Sequence, residues 1–172
     1  MIPTYEELGT NLQWKKRLLF TGVFFQENRL HAICDRNNEL SVKQWLLLAV
    51  TKGFDEPQDL STLARAMGCS RQNVKKLAIT LEKSGYVELV KSKKDSRSLC
   101  VKRTSKGDDY NERTQAYGQF IHQQLFHDFS DEEINTYYDL WVKFNHGIDR
   151  LEQTFYPGSE ETDKKTTRKE GK

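Results

Sequence analysis

Between Ser70 and Lys83 the chain reads SRQNVKKLAITLEK. If this run is helical, Val74, Leu77, Ala78 and Leu81 follow an i, i+3, i+4, i+7 spacing and share a core-facing side. At about 100° per residue, Gln72, Lys76 and Lys83 then point away from that side. Lys75 flanks them, Arg71 lies in the first turn, and Glu82 is the first acid. Gln can pair bidentately with adenine, and Arg or Lys with guanine, in a DNA major groove. Ser70 can cap the helix, whose free N-terminal amides favour a nearby phosphate. The candidate contacts on this helix are Ser70, Arg71, Gln72, Asn73, Lys75 and Lys76. An ordinary solvated surface helix would show a similar composition.

A second group of cations follows closely. The segment from Lys91 to Arg97, KSKKDSR, holds four cations and one acid between two alternating runs. Such a tip can lie along phosphates or insert an arginine into the minor groove. Lys93, Lys94 and Arg97 are the candidate contacts, and Asp95 would orient Arg97 through a charge-assisted pair. From Arg71 to Lys106 there are eleven basic residues against three acids, although the whole chain carries only +2. From Asp128 to Asp163 ten acids face two cations, Lys143 and Arg150. A basic block within an otherwise near-neutral chain points to a polyanion.

Other chemistry finds less support. His122 and His127 are five apart and so do not share a helix face; neither His31 nor His146 completes a metal motif, and no metal or cofactor is expected. Cys34, Cys69 and Cys100 are widely separated and form neither a disulfide framework nor a metal knuckle. Cysteine-based redox sensing stays open as an alternative, with Cys69 best placed to disturb the helix at Arg71. No nucleophile elbow, phosphate loop or metalloprotease motif occurs, so an enzyme is not expected. The N-terminal residues Met1 to Glu7 lack the basic-then-apolar pattern of a signal peptide, and no run is apolar enough to span a bilayer. A cytoplasmic location is expected.

These side chains need elements to position them. Leu60, Leu63, Ala64 and Met67 space as one face of a helix over Gln58–Met67. Gly68-Cys69-Ser70 is a three-residue turn into the next helix, which runs to about Ser84 and stops at Gly85. Tyr86–Val90 and Leu99–Arg103 alternate as two strands around the basic tip. Upstream, Thr4 to about Arg36 reads as one long helix, apolar on more than one side. Ser41-Val42-Lys43-Gln44 is a capping box opening a short helix that Gly53 closes. Downstream, a helix starts at Thr104 or Ser105 and runs to about Asp128. The Ser130–Glu133 capping box opens another to about Tyr156, with an apolar stripe at Ile134, Tyr137, Trp141, Phe144, Ile148, Leu151 and Phe155. The expected fold is mainly α with a small antiparallel β-wing, a winged helix-turn-helix between long terminal helices.

Several of these runs resemble the MarR family of transcriptional regulators. Asp95-Ser96-Arg97 followed by an alternating strand and Thr104-Ser105-Lys106-Gly107 is similar to the family's wing signature. Leu81-Glu82-Lys83-Ser84-Gly85-Tyr86-Val87 resembles its Leu-Glu-x-x-Gly-hydrophobic-hydrophobic run. Leu40-Ser41-Val42-Lys43-Gln44 resembles the Leu-Thr-x-x-Gln start of its second helix. Arg103 departs from the pattern, standing where the family usually has leucine; it could expose the strand end or add a phosphate contact. The resemblance implies a homodimeric regulator, usually a repressor, with one recognition helix in each half of a palindromic operator on double-stranded DNA. It assigns 1–36 to an N-terminal dimerisation helix, 37–107 to the DNA-binding domain and 108–157 to C-terminal dimerisation helices; 158–172, low in apolar residues, is expected to be a flexible tail. Leu12, Phe20, Phe24, Trp141, Phe144 and Phe155 are the expected dimer contacts, unless these aromatics simply fill a monomer core. A small aromatic or lipophilic effector that releases DNA is implied in the same way. The alternative is a winged-helix protein-interaction module without DNA binding.

Overall fold

The computed structural model of the protein describes residues 11–92 and 98–157. Among these, six helices and three strands follow one another as α1 (Leu12–Asn37), α2 (Val42–Lys52), β1 (Gln58–Asp59), α3 (Leu60–Ala66), α4 (Arg71–Lys83), β2 (Val87–Lys91), β3 (Leu99–Arg103), α5 (Ser105–Leu125) and α6 (Asp131–Phe155). The chain divides into two compact units at the Gln115–Ala116 junction, which falls inside α5.

Helix starts follow local capping chemistry. Ser41 and Gln44 form the expected capping box at α2: the Ser41 Oγ accepts from the Gln44 amide at 3.4 Å, and the Gln44 Oε1 accepts from the Ser41 amide at 2.8 Å. Ser130 and Glu133 do the same at α6. Helix α1 starts later than its hydrophobic pattern suggests. Asn11 is extended and caps it, accepting from the Trp14 amide at 3.0 Å, so the expected long helix is broken at Asn11 and α1 begins at Leu12. The part of that expected helix before Asn11 lies outside the described residues.

The expected helix over Gln58–Met67 is also shorter. Gln58 and Asp59 are extended and pair antiparallel with Val101 and Cys100, adding a third strand in the order β1-β3-β2. Asp59 then caps α3, its carboxylate accepting from the Ser61 and Thr62 amides at 2.8 and 3.0 Å. A helix through Gln58 would forfeit both the cap and the strand pairing.

The core of the first unit is closed. Leu47 and Leu48 of α2, Leu60 and Leu63 of α3, and Val74, Ala78 and Leu81 of α4 pack with Tyr86, Val87 and Val101 of the wing and Tyr110 of α5. The second unit, from Ala116, contains the end of α5 and all of α6. There Phe129 meets Phe126 and Tyr137 edge to face, at 5.6 and 6.2 Å between ring centres.

Candidate nucleic-acid interface

Helix α4 is held by its inner face and its two ends. Val74, Ala78 and Leu81 are buried and Leu77 is half-buried, which leaves Arg71, Gln72, Asn73, Lys75, Lys76 and Lys83 exposed on the outer side. Ser70 is extended, and its Oγ accepts from the Asn73 amide at 3.2 Å. That cap uses a hydroxyl lone pair and leaves the proton to donate. No acid lies in the first turn. Among the described residues, no ion pair engages Arg71, Lys75 or Lys76. Their charge is therefore available to an outside anion.

The wing leaves α4 through Gly85, whose φ of 77° lies in the left-handed region that favours glycine. Strands β2 and β3 pair from Val87↔Arg103 to Lys91↔Leu99, and the Ser92 amide donates to the Ser98 carbonyl at 2.9 Å beyond them. Lys93, Lys94, Asp95 and Arg97 lie outside the described residues. Glu82, near the end of α4, accepts from the Leu89 amide at 2.8 Å and so ties the helix to β2.

Not every cation of the basic block faces outward to a ligand. Lys102 pairs across the strands with Glu88 at 3.3 Å. Arg103 neither frees the strand end nor reaches outward for phosphate: its Nε meets Asp108 Oδ1 at 3.1 Å, and its Nη1 is buried. An acid one turn into α5 thus compensates the departure from leucine. Lys106 donates to the Ser84 carbonyl at 2.8 Å and sits 4.3 Å from the centre of the Tyr86 ring. Among the described cations of the block, these three are engaged internally, while those of α4 remain exposed.

The start of α5 is fastened to the exit of α4. Thr104 Oγ1 donates to the Gly85 carbonyl at 2.7 Å, and the Thr104 amide donates to the Tyr86 carbonyl at 3.2 Å. Gly107 permits this approach, since a Cβ there would lie 2.4 Å from the Tyr86 carbonyl oxygen. Tyr86 itself is buried, edge-on to Tyr110 at 5.5 Å. Its hydroxyl donates to Glu39 Oε1, while Arg113 Nη2 reaches Glu39 Oε2 at 3.4 Å. The Tyr86 bond, with Arg113 beside it, lowers the Glu39 pKa below its ordinary value despite some desolvation. Burial first, and then the Glu39 carboxylate, raise Tyr86 to about 12. Burial likewise raises Tyr110. This cluster had no signature in the sequence, because Glu39 lies 47 residues from Tyr86 and 74 from Arg113.

A family model described as MarR family matches residues 38–98, from just before α2 to the wing. The winged helix-turn-helix segment is thus similar to the MarR family. No curated protein matches the sequence at a significant level. Among solved structures, the fold is similar to that of a MarR/EmrR family transcriptional regulator from Acinetobacter sp. ADP1, at 16% identity over 78% of this chain and 97% of that one, with a TM-score of 0.68. It is also similar to a mutant MarR from E. coli complexed with operator DNA, at 21% identity over 75% and 91% of the two chains, TM-score 0.64. A third is BpsR of Bordetella bronchiseptica, whose DNA binding is regulated by 6-hydroxynicotinic acid, at 18% identity over 73% and 98%, TM-score 0.63.

Outside the MarR-family segment, the expected dimer contacts are exposed. In the first unit Leu12, Phe20 and Phe24 stand out from α1, the two phenylalanines edge to face at 5.5 Å. In the second, Trp141, Phe144 and Phe155 stand out from α6. Cys34 and Cys69 are half-buried, Cys100 is buried, and all three are free thiols. Among the described residues, no three His, Cys, Asp or Glu side chains gather to hold a metal, and no helix is long and apolar enough to cross a membrane.

Proposed function

We propose that the protein is a cytoplasmic homodimeric repressor that binds a palindromic operator, each copy placing α4 in the major groove of one half-site. The observation that carries this reading is the outer face of α4. Arg71, Gln72, Asn73, Lys75 and Lys76 are exposed together, the cations have no acid in the first turn to neutralise them, and the opposite face is locked into the core. Gln72 and Lys76 read base edges, while Arg71, Lys75 and the Ser70 hydroxyl hold phosphates. The basic tip at Lys93, Lys94 and Arg97, with Asp95 orienting Arg97, tracks the flanking backbone or minor groove. The apolar faces of α1 and α6 supply the dimer contacts. A small aromatic or lipophilic effector releases the operator, as 6-hydroxynicotinic acid regulates DNA binding by BpsR.

Selection of bound fragments from random duplex DNA, with the full chain, tests this. A palindromic consensus is expected. Gln72→Ala and Lys76→Ala then change the preferred base at defined positions, by about 1–3 kcal/mol for each lost bidentate pair. Arg97→Ala flattens the dependence of log affinity on log salt by about 0.9. Recovery of no sequence above background would overturn the proposal.

A further inference from the structure

The outer face of α4 carries one residue that charge does not explain. At about 100° per residue, Ile79 falls about 20° from Gln72, near the middle of that face. The residues three and four positions away from it are Lys75, Lys76, Glu82 and Lys83. The buried side of the helix, at Val74, Ala78 and Leu81, lies almost opposite. Leu77 is half-buried like Ile79 and packs against the core; among the described residues, Ile79 is not one of the side chains that do. Isoleucine is also a weaker helix former than the lysine or glutamine around it, so helix propensity does not call for it there. Beside it Thr80 is exposed, and its hydroxyl donates to the Lys76 carbonyl at 3.0 Å. That proton is engaged by the helix itself, which leaves the apolar part of Thr80 beside Ile79.

In a DNA major groove the apolar group that marks a base edge is the 5-methyl of thymine, and aliphatic side chains contact it. We infer that Ile79 is a specificity-determining residue that recognises a thymine methyl, close to the base read by Lys76. This rests on the reading of α4 as the DNA-contacting helix. Ile79 lies about 4.5 Å further along the helix axis than Lys76, which is roughly one base-pair step along a strand. The cations around it draw the helix to the phosphates but gain nothing from a methyl group. An apolar contact removes both the isoleucine and the methyl from water, and a base without the methyl cannot supply that gain. Ile79 thus adds a preference for thymine to a face whose other groups read hydrogen-bonding edges and charge.

The test uses the full chain and the operator selected from random duplex DNA. Each thymine of a half-site is replaced in turn by deoxyuridine, which keeps the base pairing and the O4 acceptor and removes only the methyl. For the wild type, one such replacement is expected to weaken binding about fourfold, the value of one buried methyl-sized group. The sensitive thymine should lie within about two base pairs of the position whose preference Lys76→Ala changes. Ile79→Ala binds the thymine operator more weakly than the wild type does, and the same replacement costs it nothing further. Ile79→Gln, which places a good helix former on the exposed face, is expected to be equally insensitive and guards against a loss of folding in the alanine variant. A wild type that tolerates deoxyuridine at every position overturns the inference. So does a replacement that costs a folded Ile79 variant as much as it costs the wild type, because the methyl is then read by another residue. A wild-type protein that selects no DNA sequence overturns the DNA-binding reading itself. Selection of a sequence that responds to Gln72→Ala and Lys76→Ala but not to deoxyuridine leaves that reading standing and removes only the role of Ile79.

Discussion

Helices α3 and α6 treat their apolar residues in opposite ways. Helix α3 has seven residues, and Leu60, Leu63 and Ala64 are buried among α2, α4 and the wing. Helix α6 has 25 residues and an apolar stripe from Ile134 to Phe155, and not one of its residues is buried. The short helix owes its stability to a core closed within one copy. The long one starts with a capping box and three acids in its first turn, which favour its N-terminus, but local terms of this kind contribute only tenths of a kcal/mol to about 2 kcal/mol each. Its stripe is the kind of contiguous apolar surface that marks an interaction site. The lobe thus folds around its own residues, whereas the terminal helices leave theirs exposed, which is the surface the proposed dimer would cover.

Truncation at matched positions breaks or sustains that contrast. Leu63→Ala removes a fully buried side chain and should lower stability by about 2–5 kcal/mol at any protein concentration. Phe144→Ala removes a side chain that is exposed in one copy. It should weaken self-association, so its thermal midpoint falls below that of the wild type most clearly where the wild type is dimeric, and the two converge on dilution. Sedimentation and thermal melts across a concentration series measure both. If the Phe144→Ala loss is the same at every dilution, the stripe is not covered by a second copy.

What could be read from sequence follows the same division between local and distant causes. Capping boxes at Ser41 and Ser130, the Ser70 cap and the i, i+3, i+4, i+7 spacing on α4 are local patterns, and the helices they predict are present. The outer face of α4 was legible for the same reason. Strand β1 was not, because Gln58 and Asp59 have no alternation to read and become a strand only by pairing with Val101 and Cys100. The delayed start of α1 depends on the backbone of Asn11, inside a run whose apolar periodicity continues through it. The basic block overstated the site, since Lys102, Arg103 and Lys106 are engaged by Glu88, Asp108 and Ser84, and charge counting registers none of those partners. Glu39 escaped for the same reason.

Gly107 sharpens the comparison at the boundary between lobe and helix. Its place against the Tyr86 carbonyl is a close approach of two backbones, not a flexible joint. Gly107→Ala puts a methyl where only 2.4 Å separates it from that oxygen, and backbone must move to admit it. We expect a loss of about 1–3 kcal/mol, as for other overpacked sites. Chemical denaturation checks this, and the Gly118→Ala variant serves as control, because nothing lies within 4 Å of a Cβ at Gly118.

The smallest expected effect concerns the cap that the lobe uses where α6 uses Ser130. Asp59→Ala removes the acceptor for the Ser61 and Thr62 amides and should cost about 1 kcal/mol at neutral pH. That cost depends on pH in a definite direction. Burial pushes the Asp59 carboxyl up, but the bonds from Thr62 and Ser61, with Arg65 nearby, outweigh it and hold the pKa below the ordinary value of 3.8. The folded state therefore binds the proton less readily than the unfolded chain. The stabilisation is complete above the unfolded value, declines as pH falls past it, and is gone once pH drops through the folded value. The stability difference between wild type and Asp59→Ala should accordingly be flat from neutral pH down to about 5 and shrink below about 4. Ser130→Ala at α6 removes a cap whose hydroxyl does not titrate, and serves as the comparison. A difference for Asp59→Ala that grew as the solution became more acidic would show that the carboxylate is held against its charge, and that the cap does not stabilise α3.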